Sequence, residues 1–202
     1  QSGRLNTKML QTKLIEFAVR PLKIGSFSAA SNVTGLKTDV DEVAALLHQY
    51  DALSFWDYAA AAPYVSIDMN PINSACSKDA VFLSPHKFVG GPGTPGVLIV
   101  KKQLLKNSVP ASPGGGTVLY VTPVDHQFIT DHERREEGGT PAIIESIRAG
   151  LVFKLQQAVG TDLIENLEAS FKERALAQWK TNKNIEVLGD SSQEGLSIFS
   201  LR

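Results

Sequence analysis

The sequence is poor in cysteine and carries almost no net charge. Cys76 is its single cysteine, which excludes an internal disulfide framework and favours a reducing, cytoplasm-like compartment. The formal net charge of −1 gives no support to a nucleic-acid partner or to binding at an anionic membrane surface. No apolar run approaches the roughly 20 residues of a membrane-spanning helix. Neither an initiator Met nor the apolar core of a secretory signal opens the chain, so we expect a piece of a longer protein.

Several kinds of site are also missing. The four histidines show no tight ligand spacing, so no metal site is predicted. No Gly-x-Ser-x-Gly element suggests a hydrolase. The glycine-rich stretch 90–96 lacks the Lys-Ser/Thr ending of a phosphate-binding P-loop, which favours a turn between strands over a nucleotide site. Cys76 lies in a polar connection, and we interpret it as structural or incidental rather than as a nucleophile.

The pattern of apolar residues predicts an α/β fold with a largely parallel sheet. A helix is expected over 5–19, ended by Pro21, and another over 40–50, with Thr38 as its N-cap. Strands are expected within 22–30, at 52–56, at 79–83 and at 97–100, the last antiparallel to its predecessor because only a short turn joins them. Further on, the pattern predicts a long Gly- and Pro-rich loop, two helices and two short strands, at 107–140, 142–158, 161–181, 184–188 and 196–201.

Polar residues follow three of these strands. Asn32, Asp57 and the segment Ser84–Lys87 fall at their carboxyl ends, where open α/β sheets bind ligands. Lys87 has a primary amine for a Schiff base, and Ser84 and His86 offer a hydroxyl and an imidazole N–H suited to a phosphate group. The carboxylate of Asp57 suits a protonated ring nitrogen.

Each of these residues also has an ordinary interpretation. Lys87 is explained as a solvated charge, Asp57 as a cap or turn residue, and Asn32 as an Asx-turn residue. Gly114–Thr117 offers backbone N–H groups and a hydroxyl to an anion, yet a flexible turn explains it equally well.

Five motifs together resemble the class V aminotransferase superfamily, whose members include cysteine desulfurases, selenocysteine lyases and kynureninases. The longest, residues 84–98, is similar to the family's Ser-Gly-His-Lys…Gly-Pro-x-Gly-x-Gly-x-Leu signature. The other four follow the family's order and resemble its Ser-Asn-x-x-Gly, Asp-x-x-Gln-Ala, Gly-Gly-Gly-Ser/Thr and Arg-x-Glu-x-Gly-Thr-Pro elements, at 31–35, 57–61, 114–117 and 135–141.

The resemblance implies a fold-type I large domain that binds pyridoxal 5'-phosphate (PLP). It implies that Lys87 forms the Schiff base and later shuttles the substrate's α-proton, and that Asp57 pairs with the pyridine nitrogen. Ser84 and His86 would hold the phosphate, and Asn32 would contact the phenolic oxygen or the substrate carboxylate. Thr117 would reach the phosphate of the neighbouring subunit, because these enzymes are generally homodimers.

The sequence departs from the family in three ways. Ala60 stands where the family commonly has Gln, which removes one hydrogen bond to the cofactor's oxygen. Pro85 replaces a small Gly. The chain is also expected to begin after the family's first strands and to end before most of the small domain, so a substrate-binding Arg and a nucleophilic Cys would lie outside it.

We therefore expect residues 1–160 to be a partial PLP-binding domain and residues 161–202 a linker helix with the start of a small domain. The expected function is desulfuration, or a related elimination, of a sulfur- or selenium-containing amino acid by a cytoplasmic homodimer, this piece alone being inactive. Transamination is the alternative within the same chemistry. A catalytically inactive PLP-fold interaction module is the alternative of another class.

Overall fold

A four-stranded sheet forms the centre of the computed structural model, which describes residues 3–188 and 195–202. Its strands lie in the order β1 (Ile24–Ser28), β2 (Leu53–Asp57), β3 (Ala80–Leu83) and β4 (Val97–Val100). The first three are parallel and β4 is antiparallel to β3. The α/β class, the parallel sheet and its one antiparallel strand are therefore confirmed.

Two helices precede β1 and β2. Helix α1 (Thr7–Glu16) ends before Pro21, and α2 (Val40–Gln49) begins one residue after its N-cap. That N-cap is Asp39, whose carboxylate accepts from the Glu42 N–H at 2.9 Å, so the prediction of Thr38 was wrong. The Thr38 hydroxyl instead donates to the carbonyl of Ser28 at 2.8 Å, which ties the helix start to the end of β1.

Only one face of the sheet carries the core. Along β2, Ser54 and Trp56 are fully buried on the side that α2 covers, and Val81 of β3 joins them there. Gly25 of β1 allows this packing, because a Cβ at that position would lie 2.4 Å from the Leu47 side chain of α2. The opposite face, which carries Phe82, is partly open, with Phe82 38% exposed.

The stretch 107–140 is not the long loop that the sequence predicts. It contains an antiparallel hairpin of β5 (Val118–Val121) and β6 (His126–Phe128), followed by the short helix α3 (His132–Glu136). The hairpin turn is held by Asp125, whose backbone N–H donates to the Thr122 hydroxyl at 2.9 Å. The apolar run Val118–Val121 is only four residues long and stands among Gly, Thr and Pro residues that favour a loop, which explains the difference.

Two long helices complete the described chain. Helices α4 (Ile143–Val159) and α5 (Thr161–Lys180) meet at Gly160, which has a φ of 87°. The two short strands that follow, β7 (Val187–Leu188) and β8 (Ser200–Leu201), pair antiparallel. The helices match the predicted ranges within one residue at each end, whereas the strands are shorter than expected. The domain division at residue 160 stays a prediction.

Two further findings concern the described residues alone. No helix among them is long and apolar enough to cross a membrane. No group of three or more His, Cys, Asp or Glu side chains among them is arranged to hold a metal ion.

Candidate active site

The carboxyl edge of the parallel strands brings three of the predicted segments side by side. Ser28 of β1 pairs with Asp57 of β2, and Asp57 pairs in turn with Phe82 of β3. Asn32 lies four residues beyond the end of β1, and Lys87 four residues beyond the end of β3. The parallel register thus gathers these segments at the edge where such sheets bind ligands.

Asp57 has one engaged and one available carboxylate oxygen. Its Oδ1 accepts from the backbone N–H of Ala59 at 2.7 Å, which fixes the direction of the carboxylate. Within the described part of the chain no group hydrogen-bonds to Oδ2. Asp57 is exposed, and the alternation along β2 places it on the open face of the sheet, opposite to Trp56. The turn role and a ligand-binding role are therefore compatible at this residue.

Lys87 ends a single 3₁₀ turn, Pro85–Lys87, that directly follows β3. The Lys87 N–H donates to the carbonyl of Ser84 at 3.0 Å, and the Phe88 N–H donates to that of Pro85 at 3.0 Å. Pro85 is fully buried at the first position of the turn, where its restricted φ is favourable. The backbone around Lys87 is thereby fixed while its side chain remains exposed.

The glycine-rich stretch has a role that the sequence alone did not reveal. It is a turn between strands, as predicted, and it also packs against the turn that carries Lys87. A Cβ at Gly91 would lie 1.9 Å from the carbonyl oxygen of Pro85. Thr94 closes the arrangement, since its hydroxyl donates to the Gly91 carbonyl at 2.7 Å. The doublet of glycines before Pro92 was the available signal for this close approach.

Aromatic packing also holds the turn that carries Lys87. Phe88, only 6% exposed, meets Phe153 of α4 edge to face, with ring centroids 5.4 Å apart. Arg148 of the same helix donates to the Pro92 carbonyl at 2.9 Å. Helix α4 therefore supports both the residue after Lys87 and the glycine-rich turn.

Asn32 lies at the tip of a loop that Ser31 organises. The Ser31 hydroxyl accepts from the N–H groups of Val33 and Thr34 at 3.2 and 3.1 Å. The Asx-turn interpretation of Asn32 is thus not what the structure shows, because Ser31 fills that role. The exposed amide of Asn32 hydrogen-bonds to no described residue, and it lines a cavity of about 620 Å³ together with Ser28 and Lys37.

Thr117 lies apart from this edge, directly before β5 of the hairpin. It is fully buried, and its hydroxyl donates to the Gly114 carbonyl at 2.6 Å and accepts from the Gly114 N–H at 3.1 Å. In this chain the hydroxyl therefore closes the Gly114–Thr117 turn.

Tyr58 follows Asp57 but points to the other side of the sheet. It is buried, at 4% exposure, and that burial, with the nearby charge of Asp41, raises the pKa of its phenol to about 12. A proton that is so tightly held does not serve acid–base chemistry near neutral pH. Tyr58 is accordingly part of the core beneath the site.

A second polar cluster lies at the amino edge of the sheet. Asp79 accepts from the backbone N–H of Ser54 at 2.8 Å and contacts His48 Nε2 at 3.0 Å and Lys101 Nζ at 3.2 Å. Burial acts to raise the pKa of Asp79, but these hydrogen bonds and the charge of Lys101 outweigh it and lower the pKa. The other ring nitrogen of His48 is 2.6 Å from the carbonyl of Ala75. His48 thus has no free nitrogen with which to activate a nucleophile.

The donor set at the carboxyl edge fits PLP. The cofactor requires a primary amine, an anion for its ring nitrogen and donors for its phosphate. The Lys87 amine, one carboxylate oxygen of Asp57, the Ser84 hydroxyl and the His86 imidazole are engaged by no described side chain or backbone group. Binding of this cofactor requires groups of these four kinds without internal partners, and here they lie at the carboxyl ends of two adjacent parallel strands.

Comparison with known proteins shows the family of the chain. The Aminotransferase class-V family model matches residues 3–202. Proteins named probable cysteine desulfurase, from Halalkalibacterium halodurans and Staphylococcus aureus, are 30% and 31% identical to the chain over 179 and 182 residues. Each match includes 89% of this chain and 43% of the relative. The chain therefore spans less than half the length of the curated relatives it matches.

Solved structures share the fold. A cysteine desulfurase from Thermococcus onnurineus superimposes with a TM-score of 0.79 at 22% identity, over 100% of this chain and 48% of that one. The cysteine desulfurase CsdA from Escherichia coli gives a TM-score of 0.79 at 21% identity, over 94% and 46%. The architecture is thus the PLP fold type I, of which this chain forms a part.

Proposed function

The chain belongs to the aminotransferase class-V family, and on that premise we propose that its protein is a PLP-dependent enzyme of the cysteine-desulfurase type. One observation carries the proposal. Asp57 and the turn ending at Lys87 leave adjacent parallel strands side by side, with an available carboxylate oxygen on one and an available amine on the other. The names of the relatives favour desulfuration among the reactions of the family.

Each residue has a proposed role. The amine of Lys87 would condense with the cofactor's aldehyde with loss of water, and, once the substrate's amine has displaced it, would move the proton of the substrate α-carbon. Asp57 keeps the ring nitrogen protonated through a charge-assisted hydrogen bond. When bound, PLP supplies an electron sink for the carbanion that forms at the α-carbon. The backbone hydrogen bonds of Lys87 and Phe88 support this role, because they fix the main chain from which the amine extends.

Other residues are proposed to bind the phosphate and the substrate. Ser84 and His86, on the same turn as Lys87, would donate to the phosphate group. Asn32 would contact the phenolic oxygen or the substrate carboxylate. Thr117 is proposed to reach the phosphate of a neighbouring subunit. For this its single hydroxyl proton would have to leave the Gly114 carbonyl, while the bond that the hydroxyl accepts from the Gly114 N–H can remain.

The proposed substrate is a sulfur- or selenium-containing amino acid, and the proposed assembly is a cytoplasmic homodimer without nucleic-acid or membrane partners. Cys76 is not the proposed sulfur acceptor. It ends a 3₁₀ turn, Ser74–Cys76, beside α2 and receives a hydrogen bond from Asn73 Nδ2 at 3.2 Å. That turn lies near His48 at the amino edge, whereas Lys87 follows the carboxyl edge. Transamination remains the alternative reaction at the same site.

The direct test is to reduce the bound cofactor in the full-length protein. We expect an absorption band in the visible region after addition of PLP, its loss with borohydride, and a phosphopyridoxyl label on the peptide that contains Lys87. Release of sulfide from L-cysteine by the same preparation would then separate desulfuration from transamination, which yields a keto acid without sulfide. A labelled protein whose modification maps elsewhere would contradict the assignment of Lys87.

A second candidate function rests on Ala60. Where the family commonly places a Gln beside the cofactor, this chain has a methyl group packed partly against the core. A PLP-fold domain retained as an interaction module would tolerate that loss. It predicts normal folding and no absorption change when PLP is added, which is the opposite of the result expected above.

A further inference from the structure

The loop that carries Asn32 is held by a distant part of the chain. The backbone N–H of Leu196 donates to the Gly35 carbonyl at 2.8 Å, and Leu36 forms an antiparallel bridge with Gly195. Leu196 is 6% exposed and belongs to the hydrophobic core. Core packing of Leu196 therefore holds the segment that begins at Gly195 against the loop that contains Gly35.

Neither glycine leaves room for a side chain. Gly35 has a φ of +71°, and a Cβ there would lie 2.6 Å from the carbonyl oxygen of Leu196 and 2.8 Å from that of Ile198. A Cβ at Gly195 would lie 2.8 Å from the carbonyl oxygen of Gly35. Since all three separations involve backbone oxygens rather than flexible side chains, either substitution would push the two segments apart.

Two further bonds flank the glycine contact. The Ser200 hydroxyl donates to the carbonyl of Val33, the residue after Asn32, at 2.6 Å. On the other side of the loop, Lys37 pairs with Glu165 of α5 at 3.0 Å. The loop is thus joined to the C-terminal part of the chain on both sides of Gly35.

A displacement of Gly35 would also move Asn32, because backbone hydrogen bonds connect the residues on either side of Asn32. The Gly35 N–H donates to the Ser31 carbonyl at 3.0 Å, and the Ser31 N–H donates to the Leu36 carbonyl at 2.9 Å. These bonds close residues 31–36 into one small unit. The side chain of Asn32 hydrogen-bonds to no described residue. Its position therefore depends on how residues 31–36 pack against the segment 195–200.

We propose that Gly35 and Gly195 are positioning residues that set the place of Asn32 for an amino-acid substrate. The proposal rests on the proposed function, in which Asn32 contacts the substrate carboxylate or the phenolic oxygen. It adds that the segment 195–200 controls substrate binding at the carboxyl edge without touching the substrate. The glycine of the Ser-Asn-x-x-Gly element is thereby explained by the approach of a second backbone.

The experiment uses the full-length protein with Gly35→Ala, Gly195→Ala and the double variant. Gly160→Ala is the matched control, because Gly160 also has a positive φ, of +87°, but nothing lies within 4 Å of its added Cβ. Hydrogen exchange of the peptide covering residues 31–37 reports on the loop without any activity. The absorption of bound PLP and the KM and kcat for L-cysteine report on the site.

We expect faster exchange at 31–37 and a KM raised by between about tenfold and a hundredfold in each single variant, the range in which small misplacements act. The PLP absorption band should remain, because Asp57 ends β2 and Lys87 lies on the turn after β3, so neither belongs to the loop 31–36. The double variant should be little worse than either single one, since both changes break the same contact. Gly160→Ala should keep the KM of the parent protein.

Ser200→Ala keeps the proposal testable if the glycine variants do not fold. It removes only the bond to Val33 and should raise the KM several-fold with normal stability. An unchanged KM and unchanged loop exchange in Ser200→Ala and in every folded glycine variant would overturn the proposal, as would an equal effect in Gly160→Ala. If the parent protein takes up no PLP, the proposed function fails. Hydrogen exchange of residues 31–37 in the parent and the variants would still decide whether the contact between Gly35 and Gly195 holds the loop in place.

Discussion

Asp57 and Phe82 lie directly opposite each other in the parallel register of β2 and β3. The N–H of Tyr58 then donates to the Phe82 carbonyl at 2.9 Å, so the two strands stay paired until the point where each chain leaves the sheet. Paired residues in a sheet project to the same face, and Asp57 therefore shares the open face with Phe82. This register sets Asp57 at the same edge of the sheet as the turn that follows β3 and carries Lys87.

The first prediction concerns the amine at position 87. Lys87→Ala in the full-length protein should abolish the absorption band that borohydride removes and lower kcat by at least about a thousandfold, because Lys87 is the group proposed to supply the covalent attachment and the proton transfer. Spectra with added PLP and steady-state rates measure both effects. Lys102→Ala, which removes an exposed lysine outside the site, should leave both unchanged. A reducible band that persists in Lys87→Ala would contradict the assignment.

The second prediction separates the charge of Asp57 from its role in the turn. Asp57→Asn retains an oxygen to accept from the Ala59 N–H, now held at 2.7 Å, so folding should be preserved. The anion opposite the ring nitrogen is lost, and kcat should fall by about a hundredfold or more, since the ring becomes a weaker electron sink. Thermal unfolding and kcat for L-cysteine are the measurements. A full rate with Asn at this position would exclude an ion pair with the cofactor.

How far the sequence predicts the fold differs from region to region. The strands of the central sheet are short apolar runs bounded by Gly, Pro or polar residues. Their pattern predicts that Asp57 and Lys87 follow the carboxyl ends of β2 and β3, where the structure has them. Asp39 shows the limit of such reasoning. Thr38 and Asp39 are both good caps, and only the tertiary bond from Thr38 to Ser28 decides between them. The hairpin after residue 117 was missed because its apolar run, Val118–Val121, is only four residues long and lies between turn residues.

Contacts between distant segments were equally hidden. The sequence shows Gly35 in a motif and Gly91 in a glycine-rich turn, but the atoms that they approach belong to Leu196 and Pro85. Which backbone comes close to a glycine is a property of the assembled chain. The residues that would contact a ligand directly were therefore easier to name than those that hold them in place.

The third prediction tests the packing of the glycine-rich turn on the turn of Lys87. Gly91→Ala places a methyl group 1.9 Å from the Pro85 carbonyl oxygen, so one of the two turns must move. Overpacking of this kind costs about 1–3 kcal/mol of unfolding free energy, and the affinity for PLP should fall with it. Gly96→Ala is the control, because its Cβ would lie at an ordinary 3.7 Å from the Leu83 carbonyl oxygen. Equal urea midpoints and PLP affinities for the two variants would contradict this account.

The fourth prediction concerns acid stability and Asp79. Because the pKa of Asp79 is lower in the folded chain than in the unfolded one, the unfolded state binds its proton first as the pH falls. The stability that this carboxylate contributes is therefore fully present above its unfolded pKa of about 3.9 and is lost as the pH drops through the folded pKa. Asp79→Asn should lower the unfolding free energy at pH 7 by about 1–3 kcal/mol, since Lys101 and the Ser54 N–H lose a charged acceptor.

The difference in unfolding free energy between the parent protein and Asp79→Asn should shrink steadily below about pH 4. There the carboxyl of the parent protein becomes protonated and loses its charge. Urea unfolding between pH 3 and 7 measures it. Asp125→Asn is the control, since the pKa of Asp125 is also lowered, first by the hydroxyl of Tyr120, but its carboxylate lies on the exposed hairpin turn, where solvent screens such interactions. If the Asp79 variant kept a constant deficit down to pH 3, the buried carboxylate would not be the group whose titration destabilises the sheet.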